Sequence, residues 1–386
     1  MKRWMLLGWI ELCCSVSFAT VSVSNLVVAQ REGTKLVELS YDVACNTSNE
    51  VTVSLAVSNG TTVVYAPSVS GDVGEGVAVG THKTMVWDMA TDWNRQVSTA
   101  MNFKVMVSDE PAPPPAGMVQ IPAGINRGTD PDYGAYALTN EVAFYMDPYE
   151  VTNDKIVEVL QWAYDQGKLV VSSSSVKNAE GNRQELLSLD DSGCRIIWDG
   201  STFGMKSLKG SGYPCVEVSW YGSAAYCNYR SEMEGRVVCY NLNNWSCDLS
   251  AHGYRLPTSD EWEYAARGGL SGRRFPWGDT ITHAQANYYS KDSYTYDISS
   301  TRGLHPDYDD GGRPYTSPVG SFPANGYGLY DMAGNVWEWC NTKSGSGRVL
   351  RGGQWGGYAS YLRCGYEWWY YPANSYDYNG FRAVSY

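Results

Sequence analysis

The residues best suited to chemistry are sulfur donors and aromatic rings, and their spacing narrows what they can do. Cys45, Cys194, Cys215, Cys227, Cys239, Cys247, Cys340 and Cys364 are spread through the chain beyond its first twenty residues. No C-x-x-C pair occurs, and the 4 histidines (His82, His252, His283 and His305) stand at no ligand spacing, so zinc is a poor reading. In an exported chain some of these thiols could pair, with connectivity open; buried free thiols are the plainer alternative. The last segment offers another chemistry. From Trp355 onward come Tyr358, Tyr361, Tyr366, Trp368, Trp369, Tyr370, Tyr371, Tyr376 and Tyr378, set among Gly, Ser, Asn and Asp. Large rings with a hydrogen-bonding tip, interleaved with small polar residues, are the composition of a recognition surface for a protein or glycan. The competing reading is an aromatic core, which suits Trp337, Trp339 and Trp355.

The whole chain has 386 residues, with 30 Tyr and 15 Trp against 7 Phe, so half-exposed aromatic positions are favoured over a purely apolar core. A net charge of -12 argues against nucleic acid, which needs a positive field. Residues 1–19 read as an export signal: Lys2 and Arg3, an apolar run from Trp4 to Val16, then Ser17-Phe18-Ala19. That run is too short to span a bilayer of about 30 Å, and no later segment is apolar enough to span. The protein is thus expected outside the cytoplasm, with no membrane span once the signal is removed.

Residues 20–108 alternate with period two. Lys35–Val43 and Val51–Val57 are the clearest runs, with Asn59-Gly60 as a turn; Thr61–Tyr65, Lys83–Trp87 and Asn102–Val107 are further strands. Six or so strands predict an all-β immunoglobulin- or fibronectin-like sandwich. Residues 109–117, rich in proline, form a linker. From Met118 the chain is dense in Gly, Tyr, Trp, Asn and Asp, and only three helices are legible. One is capped at Thr152 or Asn153 and runs to about Gln166, burying Ile156, Val159, Leu160 and Ala163. Another spans about Ser223 to Met233, and a third runs from a Ser259 cap through Ala266. The rest is short strand and loop, an α+β domain whose long loops need a function or an ion to hold them.

Several ordered motifs in this region carry a family likeness. They are Met118-Val119-Gln120-Ile121-Pro122-Ala123-Gly124, Tyr149-Glu150-Val151-Thr152-Asn153, Pro214 to Trp220, and Arg255-Leu256-Pro257-Thr258-Ser259-Asp260-Glu261-Trp262-Glu263-Tyr264-Ala265-Ala266-Arg267. After them come Gly328-Leu329-Tyr330-Asp331-Met332-Ala333-Gly334-Asn335-Val336-Trp337-Glu338-Trp339, Arg351-Gly352-Gly353 and Gly380-Phe381-Arg382. Residues 118–386 resemble the formylglycine-generating enzyme family, the sulfatase-modifying factors. The likeness implies a C-type-lectin-like α+β fold.

It also implies sites. The family's enzymes oxidise a substrate cysteine with oxygen and a copper(I) ion held by two cysteines, a fitting use of soft thiolates. Gly357 stands at the first of these positions, Leu362 falls near the second, and Gln354 replaces a serine. Cys364 remains nearby as a weak catalytic candidate, and one thiolate does not make that site. The family's disulfides are lost as well, with Ala383 opposite Cys227 and Ala266 at another half-cystine. The related iron-dependent sulfoxide synthases need three histidines, and no His-x3-His pair occurs here. Calcium is implied instead, first by Asp331, the Gly334 and Val336 carbonyls, and Glu338. A second ion would use Asn287, the Tyr288 carbonyl and Asp310. Oxygen donors in glycine-bearing loops are what calcium's 6–8 ligand sites require.

The expectation is an exported, calcium-stabilised, non-catalytic binding protein. Its ligand face would comprise Tyr358, Tyr361, Tyr366, Trp368, Trp369, Tyr370, Tyr376 and Tyr378. The alternative is an active oxidoreductase of the family with a rebuilt metal site.

Overall fold

Period-two alternation governs the first unit. The computed structural model describes residues 21–45, 49–58, 63–65, 68–92, 101–108, 115–249 and 251–386. The export signal, the Asn59-Gly60 turn and residues 109–114 of the linker lie outside the described residues. The chain divides into two compact units between residues 113 and 114, with Gly235–Val237 grouped apart from the second. In the first unit, Val21–Gln30, Leu36–Cys45, Gly80–Asp88 and Val69–Gly71 form one antiparallel sheet in that order. In another, Glu50–Ser58 pairs with Val63–Tyr65, Gly74–Ala78 and Asn102–Ser108. Val37, Leu39, Tyr41 and Val43 from one sheet meet Val51, Val53, Leu55 and Val57 from the other around Trp87 and Phe103. Alternate residues of each strand point to opposite faces, so these eight positions face one core. The strand Val21–Gln30, not singled out in the sequence, sits at a sheet edge with Val21, Val23, Leu26 and Val28 half-buried and Val27 exposed.

In the second unit the helix Asn153–Asp165 buries Ile156, Val159, Leu160 and Ala163, as its periodicity predicts. Each of the larger three contributes about 1.5–3 kcal/mol by leaving water. The helix Trp220–Met233 starts earlier than expected because Ser219 accepts from the Gly222 N–H and caps it. The helix Ser259–Ala266 is capped one residue before the expected position: Thr258 and Glu261 form a reciprocal capping box. Trp220, Trp262 and Trp339 are wholly buried. No helix among the described residues is long and apolar enough to cross a membrane.

The sheets are small. Trp368–Tyr370, Gly347–Arg351, Trp337–Ser344 and Asn379–Gly380 lie in that order, the last pair parallel. Val384–Ser385 pairs with Phe144–Met146, which pairs in turn with Val119–Ile121. Loops this irregular leave many carbonyls to satisfy, and buried arginines do much of it. Arg382 donates to the carbonyls of Asp147, Pro148 and Tyr330. Arg351, from Arg-Gly-Gly, reaches the Cys364 and Tyr366 carbonyls at 3.1 Å and so fixes the start of the aromatic segment.

Candidate functional site

The tight turns before Trp337 draw an acidic pair into the core. Asp331 and Asn335 both adopt left-handed backbone angles, with φ of 57° and 60°. Asp331 Oδ2 accepts from the Gly320 N–H at 2.6 Å, while its buried Oδ1 has no hydrogen-bond partner among the described residues. Asn335 donates to Glu150 Oε2 at 2.9 Å. Burial, then the charges of Asp331 and Glu338, drive the Glu150 carboxyl well above its ordinary range, against the pull of Arg382. Burial also raises the Asp331 carboxyl to about 6. Crowded, partly unsatisfied carboxyls of this kind suit a hard cation. Glu150 was not among the expected ligands; its sequence neighbours give no sign that it will meet Asn335.

Glu338 needs correcting as an open ligand. Both of its oxygens are held by Arg382 at 2.7 Å, and Oε2 also takes the Trp262 indole N–H. Among the described residues no three His, Cys, Asp or Glu side chains form a ready ligand set. An ion beside Asp331 would therefore lean on Asp331, Glu150 and the Gly334 and Val336 carbonyls.

The second expected set is brought near the first but is differently occupied. The Asn287 carbonyl accepts from the Asn335 N–H, and the Asn287 amide nitrogen donates to the Tyr315 carbonyl at 2.8 Å. His283 Nε2 meets the Tyr288 carbonyl at 3.1 Å. Asp310 pairs with Lys209 Nζ at 3.0 Å. Of this set, Asp310 is already engaged by a cation of the chain's own, and the Tyr288 carbonyl faces His283.

Where the resemblance implies a copper(I) centre, the chain builds core. Gly352 and Gly353 have positive φ, and a Cβ on Gly353 would fall 2.6 Å from Leu362 Cδ1. Glycine there lets Leu362 pack fully buried beside Phe275, Ile281 and Tyr288. Gly357 lies under the Tyr361 ring and accepts from the Tyr289 N–H. Cys364 is buried in a different cluster, with Trp262 and Val349. Burial pushes its thiol up to about 12, the opposite of what a thiolate ligand or nucleophile needs. The geometry offers no support for Cys364 as a catalytic residue, and a paired-thiolate copper site does not fit the residues present.

The aromatic segment is divided rather than continuous. Tyr358, Tyr361 and Tyr366 run ring to ring at 6.0 and 5.1 Å, and Trp337 closes on the last two. Tyr289 and Tyr294, missed because they lie far upstream, join this group through Tyr358. Trp368, Tyr370, Tyr376 and Tyr378 form a second series at 6.4, 5.0 and 5.1 Å. Trp369 leaves it. Consecutive strand residues point to opposite faces, so Trp369 turns away, stacks edge-on with Tyr371 and covers Gly347. Trp368 is 43% exposed and Trp369 45%.

The profile of the sulfatase-modifying factor enzyme 1-like domain matches residues 102–386. The chain belongs to the sulfatase-modifying factor family. It is 31% identical over 312 residues to the formylglycine-generating enzyme of Bos taurus, covering 70% of this chain and 75% of that protein. It is also 31% identical over 267 residues to the inactive C-alpha-formylglycine-generating enzyme 2 of Bos taurus, covering 62% and 76%. Among solved structures, the crystal structure of CarF aligns with a TM-score of 0.49 and 24% identity, covering 70% of this chain and 98% of that one. In this member of the sulfatase-modifying factor family the strand that begins Trp337-Glu338-Trp339 pairs with the strand that ends at Arg351, just before the Gly352-Gly353 turn. Leu362 and the Tyr361 ring pack against Gly353 and Gly357.

Proposed function

We propose that this sulfatase-modifying factor family member is an exported binding protein that recognises a protein or glycan through its aromatic C-terminal segment and does not oxidise thiols. The observation that carries the reading is Leu362, buried against Gly353 beside a Gly357 that has no side chain. Copper(I) chemistry needs soft thiolates, and neither position supplies one. Rings of the second series, Trp368 foremost, supply amphipathic area at low entropic cost. In the same reading, residues 1–19 direct export. The N-terminal unit is an immunoglobulin- or fibronectin-like sandwich that spaces the binding domain through the 109–117 linker. One calcium ion sits on Asp331 and Glu150 with the Gly334 and Val336 carbonyls, where it orders the loop before Trp337 and supplies no chemistry.

The test pairs two assays on the full-length protein. Incubation with copper(I), oxygen and a Cys-x-Pro-x-Arg peptide is expected to yield no aldehyde. Aldehyde formation at the rate of an active family enzyme overturns the proposal in favour of an oxidoreductase with a rebuilt metal site. A screen of glycan and protein arrays, followed by Trp368→Ala, is expected to find a ligand whose binding falls at least tenfold; unchanged binding removes the proposed face.

A further inference from the structure

Lys209 is buried in the second unit, with 3% of its side chain exposed. A lysine ammonium in such a place must have every N–H satisfied. It does. Nζ donates to Asp310 Oδ1 at 3.0 Å, to the Gly312 carbonyl at 2.8 Å and to the Pro314 carbonyl at 2.6 Å. The Tyr315 ring lies 5.5 Å away and adds cation–π attraction. The backbone is bent to make this reach: Lys209 has a φ of 54°, in the left-handed region that side chains disfavour. Buried Asn153 holds that bend by donating to the Lys209 and Gly210 carbonyls at 3.2 and 3.1 Å.

One carboxylate and two backbone carbonyls converging on a positive charge is the donor chemistry of a hard-cation site. Asp310 was expected to serve such an ion with Asn287 and the Tyr288 carbonyl, yet its Oδ1 is taken by Lys209 and the Tyr288 carbonyl faces His283. A divalent ion on Asp310 would also face the buried ammonium at close range and be repelled by it.

We propose that Lys209 is a tethered cation standing in place of a metal ion on the 307–314 loop. The loop is ordered by a covalently attached ammonium and is closed to divalent ions. The consequence reaches the aromatic segment. Arg313 and Tyr315 flank Pro314. Arg313 pairs with Asp377 at 2.9 Å and lies over the Trp355 ring, and Tyr315 meets the same ring edge-on at 5.1 Å. Lys209 therefore positions two residues against Trp355 without calcium. This holds whether or not the aromatic segment binds a ligand.

The test uses full-length protein, calorimetric calcium titration and thermal unfolding. Asp310→Asn is expected to leave the number of bound calcium ions unchanged and their affinity within twofold. It should lower Tm by about 5 °C equally in EDTA and in calcium. Loss of one calcium equivalent, or a drop in Tm confined to calcium buffer, overturns the proposal. Lys209→Met is expected to lower Tm, and adding Asp310→Asn to it should cost little more because the two act as one pair. Fully additive losses overturn it. If Lys209→Met fails to fold, the Asp310→Asn titration still decides.

Discussion

Arg382 grips both carboxylate oxygens of Glu338 at 2.7 Å, with both side chains fully buried. The Trp262 indole completes the carboxylate's bonding, and the rest of the guanidinium ties down the 147–148 and 330 carbonyls. Glu338 thus joins the strand Trp337–Ser344 to loops far away in sequence. Removing one partner of a buried pair leaves the other charge uncompensated, at about 3–5 kcal/mol. Glu338→Gln should lose that much stability in urea unfolding, and lose it equally in EDTA and in calcium. A loss seen only with calcium would return Glu338 to the ion's ligand shell.

Asp331 should behave in the reverse way. Its unpartnered Oδ1 and the nearby Glu150 carboxyl make a repulsive pair that a cation relieves. Asp331→Asn removes charge from that pair. In EDTA the variant should match or exceed the wild type in Tm; in millimolar calcium it should fall below it, because ligand stabilisation grows with occupancy. Parallel curves in the two buffers would rule out an ion on Asp331.

Glu217 predicts a pH dependence. Burial, then the charges of Asp191 and Asp377, raises its carboxyl to about 8, with Arg313 pulling the other way. The folded chain therefore keeps a proton that the unfolded chain, near its ordinary value of 4.5, has already released. Between those values the folded state binds more protons, so stability declines as pH rises from 4.5 towards 8. Glu217→Gln should flatten that decline and gain about 1–2 kcal/mol at pH 8, a figure discounted for solvent screening. Equal slopes for the two proteins, measured by denaturant titration across pH, would remove Glu217 as the cause.

Trp368 and Trp369 offer an internal control, because similar exposure is combined with opposite facing. Trp368→Ala should weaken ligand binding by about 2 kcal/mol, the scale of an interface anchor. Trp369→Ala should leave binding within twofold while loosening the cover over Gly347. Equal losses in surface plasmon resonance would mean that the ligand wraps the strand edge rather than resting on one face.

Leu362→Ala should destabilise the domain by about 2–5 kcal/mol, as expected for truncating a packed leucine. A change below 1 kcal/mol in thermal unfolding would mean that the site collapses easily, and that core packing is not what Leu362 provides.

Where pattern is local, the sequence was a good guide. The buried face of Asn153–Asp165 follows from its own spacing, and the strands Leu36–Cys45 and Glu50–Ser58 follow from alternation. The family motifs carried the fold of residues 118–386 and pointed to Asp331. Failures arose where a partner lies far away along the chain. Nothing near Glu338 announces Arg382, nothing near Asp310 announces Lys209, and nothing near Asn335 announces Glu150. Trp369 parts from Trp368 for another reason: aromatic density is blind to strand parity, which turns the two to opposite faces. The sharp turns at Asp331 and Asn335 fall on non-glycine residues, which composition does not flag.

The pairing of Val384–Ser385 with Phe144–Met146 bears on how the molecule comes into being. This small sheet joins segments from opposite ends of the domain's chain, and Asn379–Gly380 must also slot in beside Trp337. Contacts of such long range make folding slow and late. Until the last residues are made, Phe144–Met146 holds Val119–Ile121 on one edge and leaves its other edge unpaired.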